Sequence, residues 1–199
     1  VTMRLYNYWP ADLPHSNWLM HTEEREAIVP NPPYDRLICP RCRQFSYDDV
    51  FALGFEDIKP IIRVKGDIFM SDDDLLCINT RFRELIEAKE FPGLKLKPLG
   101  KTGWSVVKVA SRFKVRPEVY QVVRGPCSEC GRPREVLGSV QHLGQFLTVP
   151  VAETFFTPEC DQPKTRFMAL LLTDGIVAAM KQSKIKGGAL HEILDEGLY

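Results

Sequence analysis

No apolar run in this sequence approaches the roughly 20 residues that a membrane-spanning helix needs, and neither sign of charge dominates. Lys plus Arg and Asp plus Glu number 26 each, for a net charge of zero. A balanced chain has no global attraction to nucleic acid or to an anionic membrane, although a local patch stays open. Residues 1–10 are mixed polar and aromatic and carry no secretory pattern, so a reducing, cytoplasmic setting is expected. Catalytic signatures are missing too. There is no phosphate-binding glycine loop and no Gly-x-Ser-x-Gly. His15, His21, His142 and His191 fall in no metal-binding or catalytic spacing. Asp72-Asp73-Asp74 lacks the further spaced oxygens and the glutamate of a calcium loop. These absences point away from an enzyme; a small enzyme stays as a third class with no named site.

What is present describes a folded chain. Of 199 residues, 44% are hydrophobic and 26% charged, and that length buries a real core. A bound metal would therefore add to the fold rather than create it. The expected organisation is an irregular N-terminal arm over 1–37, packed through its aromatics, and a single α+β domain over 38–199. Within the arm, Pro30-Asn31-Pro32-Pro33 argues against a helix or a central strand.

Periodicity supplies the elements. A short helix is expected over 46–53, with Asp48 and Asp49 in its first turn. Strands are expected over 61–64, 68–70, 104–110, 119–123 and 145–149. The most informative feature is an internal echo. Leu75-Leu76-Cys77-Ile78-Asn79 is an apolar run ending in a polar residue. A helical pattern follows, with Phe82, Leu85 and Ile86 on one face. Phe91-Pro92-Gly93 stops it, and 94–98 alternates like a strand. Ninety-four residues later the pattern returns. Leu170-Leu171-Leu172-Thr173 leads into a helix with Asp174 as candidate N-cap and Ile176, Ala179 and Met180 on its apolar face. Ile185-Lys186-Gly187 ends that helix, and a last strand covers 189–193. The fold expected is α+β: a mixed sheet with two similar strand–helix–strand units.

Six cysteines carry the chemistry. Cys39-Pro40-Arg41-Cys42 and Cys127-Ser128-Glu129-Cys130-Gly131 are two Cys-x-x-Cys turns, at 39–42 and 127–130. Two intervening residues let one tight turn aim both sulfurs at one ion, and zinc prefers four such ligands in a tetrahedron. Pro40 stiffens the first turn. Gly131 stands where the chain curls past the metal and a Cβ would crowd it. The expected site is one structural zinc on Cys39, Cys42, Cys127 and Cys130, like a zinc ribbon with a long insertion. Reduced thiols or disulfides are the alternatives. Cys77 reads as core and Cys160 as a loop thiol. Arg36, Arg41, Arg43, Arg124, Arg132 and Arg134 crowd the knuckles. They either offset the two net negative charges of a four-thiolate zinc or reach nucleic acid.

The two knuckles and the paired segments over 76–99 and 170–193 together resemble the double-CXXCG motif family of bacterial proteins, grouped with the immunity proteins of polymorphic toxin systems. The resemblance covers most of residues 38–193. The chain departs from the pattern at the first knuckle, which continues with Arg43 where the motif has glycine. The resemblance implies a cytoplasmic protein that binds and neutralises one cognate protein toxin, with a structural zinc and no catalytic residues. Nucleic acid and membrane are not expected partners. Specificity would lie in the turn of Asp72, Asp73 and Asp74, in Trp9 and Trp18 of the arm, and in Glu192, Asp195 and Glu196 of the tail. The alternative is a zinc-ribbon protein that binds nucleic acid or regulates, carried by Arg41, Arg43, Arg132 and Arg134.

Overall fold

A computed structural model describes residues 4–10, 21–24, 27–30, 33–42, 45–58, 62, 64–71, 75–109, 112–114, 120–131, 133–138, 155–159 and 170–193. In chain order the strands are β1 (Leu5–Pro10), β2 (His21–Glu24) and β3 (Ala27–Pro30). A 3-10 turn (Tyr34–Leu37) and helix α1 (Tyr47–Leu53) follow. Next come β4 (Ile68–Met70), β5 (Leu76–Asn79), α2 (Thr80–Lys89), β6 (Leu94–Leu99) and β7 (Trp104–Val109). The remainder is β8 (Arg112–Lys114), β9 (Tyr120–Pro126), β10 (Pro133–Gly138), β11 (Phe155–Glu159), β12 (Leu170–Thr173), α3 (Asp174–Gln182) and β13 (Gly188–Glu192).

The fold is α+β, as expected. One sheet has the order β13-β1-β12-β11-β8; it is mixed, because β11 and β8 run parallel while its other neighbours are antiparallel. A second, antiparallel sheet has the order β4-β5-β7-β6. Two further hairpins, β2–β3 and β9–β10, form ladders of their own.

The expected echo is a pair of matched units, β5–α2–β6 and β12–α3–β13. Phe82 and Ile176, 94 residues apart, are both fully buried in one shared core. Ile86 and Met180 repeat the relation one turn later in the same core. Each helix ends in a Schellman motif. Phe91 N–H donates to Ile86 O (3.3 Å) and Ile185 N–H to Met180 O (2.9 Å); Glu90 and Lys184 N–H donate to Glu87 and Lys181 O. The apolar residue after each left-handed turn packs against that core, which completes the motif.

The core spans both units. Leu76, Ile78, Val107 and Val109 turn one face of the second sheet toward α2, α3 and Leu172. The opposite face, with Phe69, Leu75, Cys77, Leu99 and Val106, packs on Val50 and Phe51 of α1, on Phe55 just after it, and on Tyr34 and Ile38. Strands covered on both faces carry apolar residues without alternation, which is why β5 reads as a continuous run. Buried Tyr34 donates to Gly54 O. Its pKa is pushed up to about 12, first by burial and then by Glu56 and Asp57.

Asp67 joins the units. Its buried carboxylate accepts from Asn79 Nδ2 and from Lys186 N–H, each at 2.8 Å, and lies 3.5 Å from Arg81. Its own N–H donates to Lys186 O. Gly187 meets this clasp at φ +132, where an added Cβ would lie 2.3 Å from Ile68 O.

Several expectations are corrected. Within 1–37, expected to be an irregular arm, the described residues supply β1, second of five in its sheet, the hairpin β2–β3 and the 3-10 turn. β1 pairs on both edges, and its Leu5 is fully buried. The N-cap of α3 is Thr173, with Asp174 inside the first turn. The helices turn off at Glu90 and Lys184, both left-handed (φ 51 and 52), ahead of the glycines read as stops. Ile62 and Val64 are not in a strand, and residues 145–149 lie outside the described residues. The helix at α1 forms as expected, with Ser46 Oγ accepting from Asp49 N–H.

A left-handed residue with a Cβ costs about 1–2 kcal/mol. Glu90→Gly and Lys184→Gly are therefore each expected to stabilise by about 0.5–1 kcal/mol, read as a raised urea midpoint. Gly187→Ala is expected to lower it strongly. Unequal signs for the two glycine substitutions would contradict the matched geometry.

Candidate metal centre

Each knuckle sits at a chain reversal. Around the first, Ile38 and Phe45 form an antiparallel bridge, and Ile38 anchors in the core beneath α1. Around the second, Pro126 pairs with Pro133 where β9 turns into β10. Such narrow reversals leave the backbone N–H groups of each turn pointing inward at the first sulfur.

The four expected residues converge. Cys39 Sγ lies 3.9 Å from Cys127 Sγ, and Cys42 Sγ lies 3.5 Å from Cys130 Sγ. All four sulfurs lie within 4.8 Å of one another. A tetrahedron with metal–sulfur bonds of about 2.3 Å has sulfur–sulfur edges of about 3.8 Å, so the donor set fits a metal ion. Among the described residues this is the one group of three or more His, Cys, Asp or Glu arranged to hold a metal. Cys39 and Cys127 are buried, while Cys42 and Cys130 are half-buried. A bound ion would have one sulfur pair toward the core and one toward solvent.

The inner thiols are tuned by backbone. The N–H of Cys42, then that of Arg41, hold the Cys39 thiol below its ordinary pKa against the opposing effect of burial. For Cys127 the N–H groups of Cys130 and Glu129 do the same, lowering its pKa to about 6. Donors aimed at sulfur favour the thiolate, the form that binds metal. Peptide N–H groups are thus the leading influence on both inner thiols. Arg36 and Arg41 are exposed; Arg124 and Arg134 fall on β9 and β10; Arg43 and Arg132 lie outside the described residues.

The backbone at Gly131 by itself calls for glycine. Its φ is +70 and no atom lies within 4 Å of where a Cβ would stand. The left-handed backbone, closed by Gly131 N–H to Cys127 O at 2.8 Å, selects glycine there.

Of the other candidates, Cys77 is fully buried core, as expected. Cys160, His15, His142, Trp18, Asp72, Asp73, Asp74, Asp195 and Glu196 lie outside the described residues. His21 is on β2, Trp9 pairs with Ala189 on the neighbouring strand, His191 is exposed, and Glu192 is 3.7 Å from Arg4. Among the described residues no helix is long and apolar enough to cross a membrane.

The depressed thiol has a definite pH signature. Cys127 titrates near 6 in the fold instead of at its ordinary 9.0. In the metal-free protein, its ionisation stabilises the fold fully above about pH 9; the contribution shrinks as pH falls and is gone once pH has passed below about 6. Alkylation of metal-stripped protein should show Cys127 reacting with a midpoint near pH 6, and Cys77 inert. A Cys127 midpoint at the ordinary thiol value would contradict the N–H geometry.

No protein-family model matches the chain, and no curated protein matches it, so the reading of the site rests on its own geometry.

Proposed function

We propose that Cys39, Cys42, Cys127 and Cys130 hold one structural zinc ion, and that the chain is a binding protein that neutralises a cognate bacterial toxin through a protein–protein interface. The observation carrying this reading is the convergence of four thiols, contributed by two distant turns, into a near-tetrahedral set. Four thiolates favour zinc over harder ions, and a fully thiolate shell leaves no position for a substrate. The ion, when bound, supplies a fixed clasp between the two turns. The chain's own residues supply the rest: N–H groups that keep sulfur ionised, and a core that holds the first turn in place.

The toxin reading is supported by the resemblance and by the setting of its parts. Both segments that carry it, 76–99 and 170–193, fold as matched strand–helix–strand units around one core. A neutralising protein needs a rigid scaffold presenting a specific surface, and a stapled two-unit scaffold supplies one.

The two halves of the proposal are tested separately. For the metal, elemental analysis should give about one zinc per chain, with zinc–sulfur distances of about 2.3 Å by X-ray absorption. Cys127→Ser should lose the ion and lower the melting temperature well below that of the wild type, because zinc binding contributes on the order of 10 kcal/mol in small zinc domains. A metal-free protein with all four thiols freely labelled would rule out zinc. For the partner, co-expression with the toxin encoded beside the gene should protect cells. Replacing Asp72, Asp73 and Asp74 together by lysine should abolish protection if acidic groups steer the complex. Failure of the folded wild-type chain to protect, with the toxin shown to be active, would count against toxin neutralisation.

A further inference from the structure

The two units match beyond their helices, and the match reveals a strand in an unexpected role. In the second sheet β5 and β6 are not neighbours: β7 lies between them, antiparallel to both, as the order β4-β5-β7-β6 requires. In the first sheet the corresponding strands β12 and β13 are likewise separated, and the strand between them is β1. The outer neighbour corresponds as well: β4 beside β5, and β11 beside β12.

Register makes the correspondence quantitative. Cys77, Ile78 and Asn79 face Val106, Ser105 and Trp104. Their counterparts Leu171, Leu172 and Thr173 face Asn7, Tyr6 and Leu5. Lys97 and Pro98, on the other side of β7, face Val106 and Ser105. Their counterparts His191 and Glu192 face Asn7 and Tyr6. Both edges therefore assign Val106 to Asn7 and Ser105 to Tyr6, independently. The hairpin end agrees. Leu99 pairs with Trp104 across the turn 100–103, and its counterpart Ile193 donates its N–H to Leu5 O at 2.8 Å.

In one unit, then, the middle strand follows directly from β6. In the other it comes from the opposite end of the chain. We propose that the cleft between β12 and β13 is a strand-binding site, and that β1 occupies it as an inserted ligand: an extended peptide held by backbone hydrogen bonds on both edges and by burial of Leu5. Without β1, the facing edges of β12 and β13 would carry a row of unpaired backbone N–H and C=O groups, a ready template for another strand. Strand addition of this kind draws affinity from the main chain and selectivity from alternate side chains. The fully buried Leu5 is the selective contact.

The test uses the full chain with a protease site placed between Pro10 and His21, cut after folding. The cut protein should stay folded with its N-terminal fragment bound. It should then take up a fluorescent peptide of residues 4–10, read by anisotropy during incubation just below the melting temperature. Leu5→Ala in the peptide should weaken uptake about a hundredfold, and Tyr8→Pro, which removes a ladder N–H, should abolish it. A second variant moves β1 to the other end: residues 194–199 are replaced by Gly-Lys-Thr-Gly followed by residues 5–10, so that Leu5 stands where Trp104 follows the turn 100–103, and the chain begins beyond Pro10. It should fold, melt like the cut protein and refuse the peptide, its site being filled covalently. The proposal is overturned if the relocated-strand chain fails to fold while the cut protein holds. It is also overturned if the fragment leaves on cutting and the remainder melts unchanged, or if the relocated chain folds yet takes up the peptide as well as the cut protein does.

Discussion

The apolar faces of α2 and α3 meet in one core, and most of what is described of this chain is arranged around that burial. Neither helix covers its apolar face with its own strands alone: Phe82 and Ile86 from one unit and Ile176, Val177 and Met180 from the other fill the same interior. Each of these side chains gains roughly 1.5–3 kcal/mol by leaving water, so the units depend on one another. Asp67 fixes how they meet. A buried carboxylate is unfavourable unless its oxygens are satisfied, and the donors to this one come from Asn79 of one unit and Lys186 of the other. Sliding the units apart would strand that charge, which makes the relative position specific as well as stable.

Legibility in the sequence followed the range of the interactions. The helices and their flanking strands were readable because 3.6-residue and two-residue periods are local, and because the pattern occurs twice. The convergence of the cysteines was readable from spacing, since Cys-x-x-Cys turns carry their geometry with them. The role of β1 was not readable. Leu5-Tyr6-Asn7-Tyr8-Trp9-Pro10 does not alternate, and its place between β13 and β12 is dictated by partners 162 to 186 residues away. Helix exits were misplaced by a few residues because glycine is the usual left-handed signal, whereas Glu90 and Lys184 accept that strain here. The peptide N–H groups that lower the pKa of Cys39 and Cys127 have no sequence signature beyond the turn itself.

One unit lies between two knuckles that a metal would clasp, the other is closed by a strand, and the difference follows from chain order. β4, β5, α2, β6 and β7 lie between the first knuckle and the second, so a metal on the four cysteines encloses the whole of that unit in one loop. The entropy of closing a loop grows only slowly with its length, so such a clasp limits the unfolded ensemble even across so long a stretch. The other unit lies outside that loop. Its strands come from both ends of the chain, and β1 is what draws them together, with Leu5 beside Ile193. A metal ion could not substitute for β1 there, because it would leave the inner edges of β12 and β13 unpaired. Equally, a strand could not easily replace a metal at the knuckles, where two tight turns offer sulfur and inward N–H groups rather than a free ladder edge. Each closure thus answers the kind of group left exposed: thiols and turn N–H groups in one place, a bare pair of strand edges in the other.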